Sequence, residues 1–150
     1  MELILWRHAE AEDGLNDLAR ELTSKGHKQA EKMAAWLKPR LPDNTHVLVS
    51  PAKRAQQTAS SLTKDFTTED TVTTGASVQS VLKAANWPHA EGAVLIVGHQ
   101  PTLGAVAAHL LAGQNTSWSI KKGSIWWLSS QHQNDGMEAS LRLVMTVDML

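Results

Sequence analysis

At 150 residues, with 42% hydrophobic and 19% charged residues and a net charge of -1, the chain has the composition of one globular domain spanning residues 1–150. No segment approaches the ~20 apolar residues that cross a bilayer, no secretory leader is read at the N-terminus, and the near-neutral charge gives no global attraction to nucleic acid or an anionic membrane. The lack of cysteine excludes disulfides, thiolate metal sites and a cysteine nucleophile, and it leads us to expect a cytoplasmic protein.

Residues 3–6 form an apolar run of strand length that stops abruptly at Arg7 and His8. Residues 11–21 are polar, with Gly14 and Asn16-Asp17, the pattern of a loop or short irregular helix that folds over the strand end. Thr23 is the expected N-cap of a helix whose Ala30, Met33, Ala34 and Leu37 share one face, ending by Pro39 or Pro42. Residues 45–49 read as a second strand, stopping at Ser50-Pro51. A second helix follows, with Ala52, Ala55, Ala59 and Leu62 on one face and Arg54 near its first turn.

Residues 71–75, rich in threonine and valine, read as a weak strand. Val78, Val81, Leu82 and Ala85 then define a short helix broken near Pro88. Residues 93–97 read as a core strand ending at Gly98-His99-Gln100-Pro101. Pro101 opens a helix with Leu103, Val106, Ala107, Leu110 and Leu111 on its face and Gly113 as its stop. Residues 124–129 and 141–147 read as two final strands, joined as a hairpin through the turn signal Asn134-Asp135-Gly136. Within the first of them, Trp126 and Trp127 cannot face the same side, so we expect both to pack on covered sheet faces with one nearer the surface.

Strands alternating with helices predict an α/β fold: a three-layer α/β/α sandwich whose sheet is mainly parallel, with an antiparallel edge hairpin. Ligands of such sheets bind beyond the carboxyl ends of the strands. The layout brings Arg7-His8, Ser50 to Arg54 and Gly98-His99 to that one edge. Two arginines and two histidines describe an anion site, and guanidinium forks match phosphoryl oxygens. The neighbouring positive charges should lower the histidine pKa and leave a neutral, nucleophilic imidazole. A metal site built from His8, His99, Glu10 and Asp17 has suitable ligand types, yet the same arginines repel a divalent cation, so neither metal nor cofactor is expected.

The chain resembles the histidine phosphatases of the phosphoglycerate-mutase-like superfamily. The resemblance rests on Leu5-Trp6-Arg7-His8-Ala9-Glu10, on Leu22-Thr23 with Gly26 and Gln29-Ala30, on Ser50-Pro51 with Arg54-Ala55-Gln56-Gln57-Thr58-Ala59, and on Val97-Gly98-His99-Gln100-Pro101. The short length and compact middle look most like the SixA-type phosphohistidine phosphatases, which lack the large lid of the mutases. The resemblance implies a metal-independent phosphatase in which His8 becomes a transient phosphohistidine while Arg7, Arg54 and His99 hold the phosphoryl oxygens. Ser50 either donates to the site or only caps the second helix. Glu10 either orients the nucleophile or a water, or is a solvated loop carboxylate.

Two departures bear on the substrate. In the acid-phosphatase branch an aspartate follows the second histidine, where this chain has Gln100. The mutase branch supplies a glutamate from the middle region, where this chain has only Glu69, Asp70 and Glu91 in no recognisable context. An alkoxide leaves poorly without an acid, whereas an imidazole already protonated on its distal nitrogen departs neutral. The expected substrate is therefore a phosphohistidine-bearing protein. The alternatives are a small phosphorylated substrate, which would make the chain a phosphomonoesterase, or phosphate binding without turnover. Lys53, His27, His46, His89, His109 and His132 are expected to be surface or packing residues.

Overall fold

A computed structural model describes residues 1–133 and 136–150. The first strand, β1 (Glu2–Arg7), has Leu3, Ile4, Leu5 and Trp6 fully buried, as its unbroken apolar run requires when both sheet faces are covered. Helix α1 (Ser24–Leu37) starts where Thr23 Oγ1 accepts the Gly26 N–H at 2.9 Å. Strand β2 (Thr45–Val49) leads into α2 (Lys53–Ser60). Next come β3 (Thr67–Thr68), α3 (Val78–Ala84) and β4 (Ala93–Gly98), every residue of the last being buried. Helix α4 (Thr102–Ala112) ends at Gly113, whose φ of 63° is the left-handed conformation that glycine adopts without penalty. The chain closes with β5 (Ile125–Gln133) and β6 (Gly136–Met145).

The six strands lie in the order β3-β2-β4-β1-β5-β6. From β3 to β1 they run parallel, and β5 pairs antiparallel with both β1 and β6. Met33, Ala34 and Leu37 of α1, with Ala55 and Ala59 of α2, pack on Ile4, Trp6, Val47, Val49, Leu95 and Val97. On the opposite face Val81 of α3 and Leu103, Val106 and Ala107 of α4 meet Leu3, Leu5, Val94 and Ile96. The three-layer sandwich expected from the sequence is thus the observed fold. Among the described residues, no helix is long and apolar enough to cross a membrane.

Some local expectations change. Residues 71–75 form no strand: Asp70–Val72 is a short helical turn, and the edge strand is Thr67–Thr68 beside β2. The β-type side chains were misleading because Val72 is buried in the core under α3 and α4, which pulls the chain off the sheet edge. The closing strands run toward each other beyond the expected 124–129 and 141–147, while their outer ends stop short: Ser124 precedes β5, and Val147 opens a short helical turn, Val147–Met149. Their extensions are held by cross-strand pairs such as Ser130 with Ala139 and Gln131 with Glu138, without the apolar run that marks a core strand. Asn134 and Asp135 of the anticipated turn lie outside the described residues. Trp127 is buried with Trp6 on the α1–α2 side, while Trp126 is half-buried on the other, 5.9 Å from the Trp118 ring.

Gly26 fixes how the segment after β1 meets α1. A Cβ there would collide with the Glu10 carbonyl oxygen, which also accepts the Thr23 N–H at 3.0 Å. Gly26→Ala is expected to lower stability by about 1–3 kcal/mol, the usual cost of overpacking. Urea unfolding should show a lower midpoint at unchanged slope, and an unchanged midpoint would contradict the tight approach.

Candidate functional site

The sheet brings three polar segments together. β4 lies between β1 and β2, with Arg7 opposite Gly98 and Val49 opposite Val97, so all three strands end at one edge. Beyond the ladder, the His8 N–H donates to the Gly98 carbonyl at 3.0 Å and the Ser50 N–H to the Val97 carbonyl at 3.1 Å. Helix α2 departs from this edge with Arg54 in its first turn, and His99 directly follows β4, ahead of α4.

His8 is 7% exposed, and its Nδ1 lies 2.7 Å from the Ala9 carbonyl. A carbonyl only accepts, so Nδ1 carries the proton and Nε2 keeps its lone pair. Arg54, 3% exposed, turns its Nε–H toward His8 Nε2 at 3.4 Å and its Nη2 toward His99 Nδ1 at 3.5 Å. The two imidazole rings stand with centroids 5.2 Å apart. His99 Nε2 is 2.7 Å from Ser50 Oγ, which also accepts the Ala52 N–H at 3.2 Å. Ser50 therefore both orients His99 and serves the start of α2. Arg7 donates from Nη1 to the Ile120 carbonyl at 2.9 Å, and its buried Nε has no partner among the described residues.

The two rings are neutral at physiological pH. Burial lowers the His8 pKa to about 4, with Arg54, Arg7 and Arg20 adding to the shift and the Ala9 carbonyl opposing it. Burial lowers that of His99 to about 3, aided by His8 and Arg54 and opposed by Asp17. The direction is the one expected from the sequence, but desolvation rather than neighbouring charge is the larger cause. Burial also lowers the pKa of Arg7.

The structure thus gathers Arg7, His8, Ser50, Arg54 and His99 in one crevice. Glu10 is tied elsewhere: its carboxylate accepts from Thr23 Oγ1 at 2.8 Å and its N–H donates to Gln29 Oε1 at 3.0 Å, securing the start of α1. Gln100 is also committed, donating to the Trp118 carbonyl at 2.8 Å and accepting the Gly104 N–H at 2.6 Å. Glu69 accepts from the Thr71 hydroxyl. Lys53 pairs with Glu21 at 3.7 Å on the surface. Among the described residues, no three His, Asp or Glu side chains gather at metal-binding distance.

Two contributors escaped the sequence reading. Asp17, considered there only as a ligand type, holds Arg54 through its backbone carbonyl at 2.7 Å and its Oδ2 at 3.2 Å. Its position in a loop gave no periodic signal. Thr58 accepts the Ala9 N–H at 3.1 Å and donates to the Arg54 carbonyl at 2.8 Å. Its signal was a buried polar residue four positions after Arg54 on an alanine-rich helix face.

Known proteins resemble this chain in sequence and in fold. Residues 3–76 match the model of the histidine phosphatase superfamily (branch 1). The chain is 34% identical over 131 residues to a phosphohistidine phosphatase SixA homolog of Haemophilus influenzae, covering 77% of this chain and 80% of that one. It is 29% identical over 123 residues to phosphohistidine phosphatase SixA of Escherichia coli, covering 76% of each. A solved structure of the protein histidine phosphatase SixA complexed with tungstate superposes with a TM-score of 0.80 at 26% identity, covering 99% of both chains.

Because both histidines are held neutral, the unfolded chain binds more protons than the folded one as pH falls below about 6.5. Stability contributed by these rings is present above that pH and is lost as pH drops toward about 4 for His8 and about 3 for His99. In the folded protein the ring proton resonances of both residues should stay unshifted from neutral pH down to about 5, as their depressed pKa values require. A midpoint near 6.5 for either ring would contradict the arrangement.

Proposed function

Because the chain belongs to the histidine phosphatase superfamily, we propose that it removes the phosphoryl group from phosphohistidine on a protein by way of a phosphorylated His8. The observation that carries this reading is the state of His8. Its Nδ1–H is committed to the Ala9 carbonyl, and its Nε2 lone pair faces a crevice lined by Arg54, His99 and Arg7. A neutral ring with one fixed proton is ready to attack phosphorus from the free nitrogen.

In the first step the His8 Nε2 lone pair forms a bond to phosphorus while the bond from phosphorus to the substrate nitrogen breaks, its electron pair passing to the departing imidazole. In the second step water attacks phosphorus, the bond to His8 breaks, and inorganic phosphate leaves. Arg54 Nε and Nη2 supply N–H donors for the equatorial oxygens, and Arg7 adds positive charge beside them. Ser50 can either accept from His99 Nε2 or donate to it. In the second case the His99 proton moves to Nδ1, which then donates to a phosphoryl oxygen.

The occupied state of Gln100 supports a P–N substrate. Its amide serves Trp118 and Gly104, so the position after His99 offers no acid for an alkoxide. A protein-borne group is supported by Leu15 and Leu18, which stand exposed on the loop that carries Asp17 beside the crevice. The cysteine-free composition fits action in the reducing cytoplasm.

The test is phosphate release from a phosphohistidine-carrying protein, set against a panel of phosphate esters, for the native chain and His8→Ala. Release should favour the P–N substrate and fall by about 10³-fold or more in the variant, the scale of losing a nucleophile. Equal turnover of esters would remove the substrate preference. Phosphate binding with no release from any substrate would make the chain a binding module.

A further inference from the structure

The anion site already holds an anion of the protein's own. Asp17, between β1 and α1, sets its backbone carbonyl 2.7 Å from Arg54 Nη1 and its Oδ2 3.2 Å from Nη2, while Oδ1 takes Arg20 Nε at 3.2 Å. A carboxylate beside a phosphoryl site repels the incoming anion. Arg54 divides its donors between two sides: Nε and Nη2 face His8 and His99, and Nη1 with Nη2 faces Asp17. The arginine is 3% exposed and the aspartate 55%. Asp17 therefore stands on the solvent side of the buried donors, where a substrate enters and a leaving group departs.

We propose that Asp17 is a specificity-determining residue whose carboxylate accepts a hydrogen bond from the distal N–H of a bound phosphohistidine ring and keeps that ring protonated. The proposal rests on the phosphohistidine reading above and names the feature that selects it. The electron count is simple. His8 Nε2 donates its lone pair to phosphorus, the original P–N pair returns to the substrate nitrogen, and the distal N–H stays where it is. The ring leaves as neutral imidazole, and Asp17 neither gives nor takes a proton.

At a pH where the free substrate ring is mostly unprotonated, a fixed negative charge raises the fraction able to react and stabilises the charge remaining in the transition state. The same carboxylate opposes a phosphate ester, whose leaving oxygen gains negative charge. The charged groups facing Asp17 are Arg20 on its own loop and Arg54 on α2, with Arg7 and the neutral rings of His8 and His99 in the crevice behind. Partial burial works against ionisation of Asp17, and the hydrogen bonds and charges of Arg54 and Arg20 more than offset it, so the group is a carboxylate and not a proton donor at neutral pH.

Asp17→Asn removes the charge while leaving the backbone carbonyl and an amide oxygen for Arg54, and Asp17→Glu keeps the charge. Both are compared with the native chain for phosphate release from a phosphohistidine-carrying protein and from nitrophenyl phosphate, from mildly acidic to alkaline pH. Asp17→Asn should lose about tenfold on phosphohistidine at alkaline pH, the scale of one charge-assisted hydrogen bond, and less at acidic pH. Its alkaline limb should move to lower pH, the ratio of phosphohistidine to nitrophenyl phosphate turnover should fall, and Asp17→Glu should restore both. An equal loss on the two substrates with an unmoved pH profile would reduce Asp17 to a support for Arg54 and overturn the inference alone. No release from phosphohistidine by the native chain would overturn the underlying reading together with the inference.

Discussion

Two guanidinium groups and two imidazoles share a buried crevice, and they do so because the rings carry no charge. Desolvation holds His8 and His99 neutral well below neutral pH, and the arginines reinforce that state. The Ala9 carbonyl then decides which nitrogen of His8 is protonated, leaving Nε2 toward Arg54. Ring charge, tautomer and the direction in which Nε2 faces thus follow from one geometric fact: the first residue after β1 is buried against α2.

The sheet makes that fact possible. β1 and β4 are covered on both faces, so their ends sit at the boundary between a dry core and an open edge. Backbone bonds from His8 to Gly98 and from Ser50 to Val97 extend the ladder past the strands and hold three segments within side-chain reach. Arg54 is placed by a helix and gripped from outside by a loop, and Thr58 ties that helix back to Ala9. Rigid elements therefore position the buried donors, while the solvent side is shaped by the segment carrying Asp17.

The readable part of this arrangement was the part that repeats or interrupts a pattern. The apolar run ending at Arg7-His8 and the run ending at Gly98-His99 marked the sheet edge, and helical spacing placed Arg54 near the first turn of the second helix. Backbone acceptors left no trace in side-chain chemistry, so the Ala9 and Ile120 carbonyls that orient His8 and Arg7 could not be read. Glu10 sat at a suggestive distance from His8, yet a capping hydroxyl at Thr23 took its carboxylate. The weak strand at residues 71–75 failed for a similar reason: burial of Val72 outweighed local preference. Asp17 lay in a segment without periodicity, and only tertiary placement shows that it opposes Arg54.

The central claim is that the phosphoryl group passes through His8. Rapid quenching during turnover of a phosphohistidine-carrying protein, followed by mass spectrometry and phosphorus NMR of the denatured chain, tests it directly. The account predicts an acid-labile phosphoryl group on Nε2 of His8 that decays as phosphate appears. Phosphate release with no phosphorylated chain at any time, or with the phosphoryl group on another residue, would contradict it.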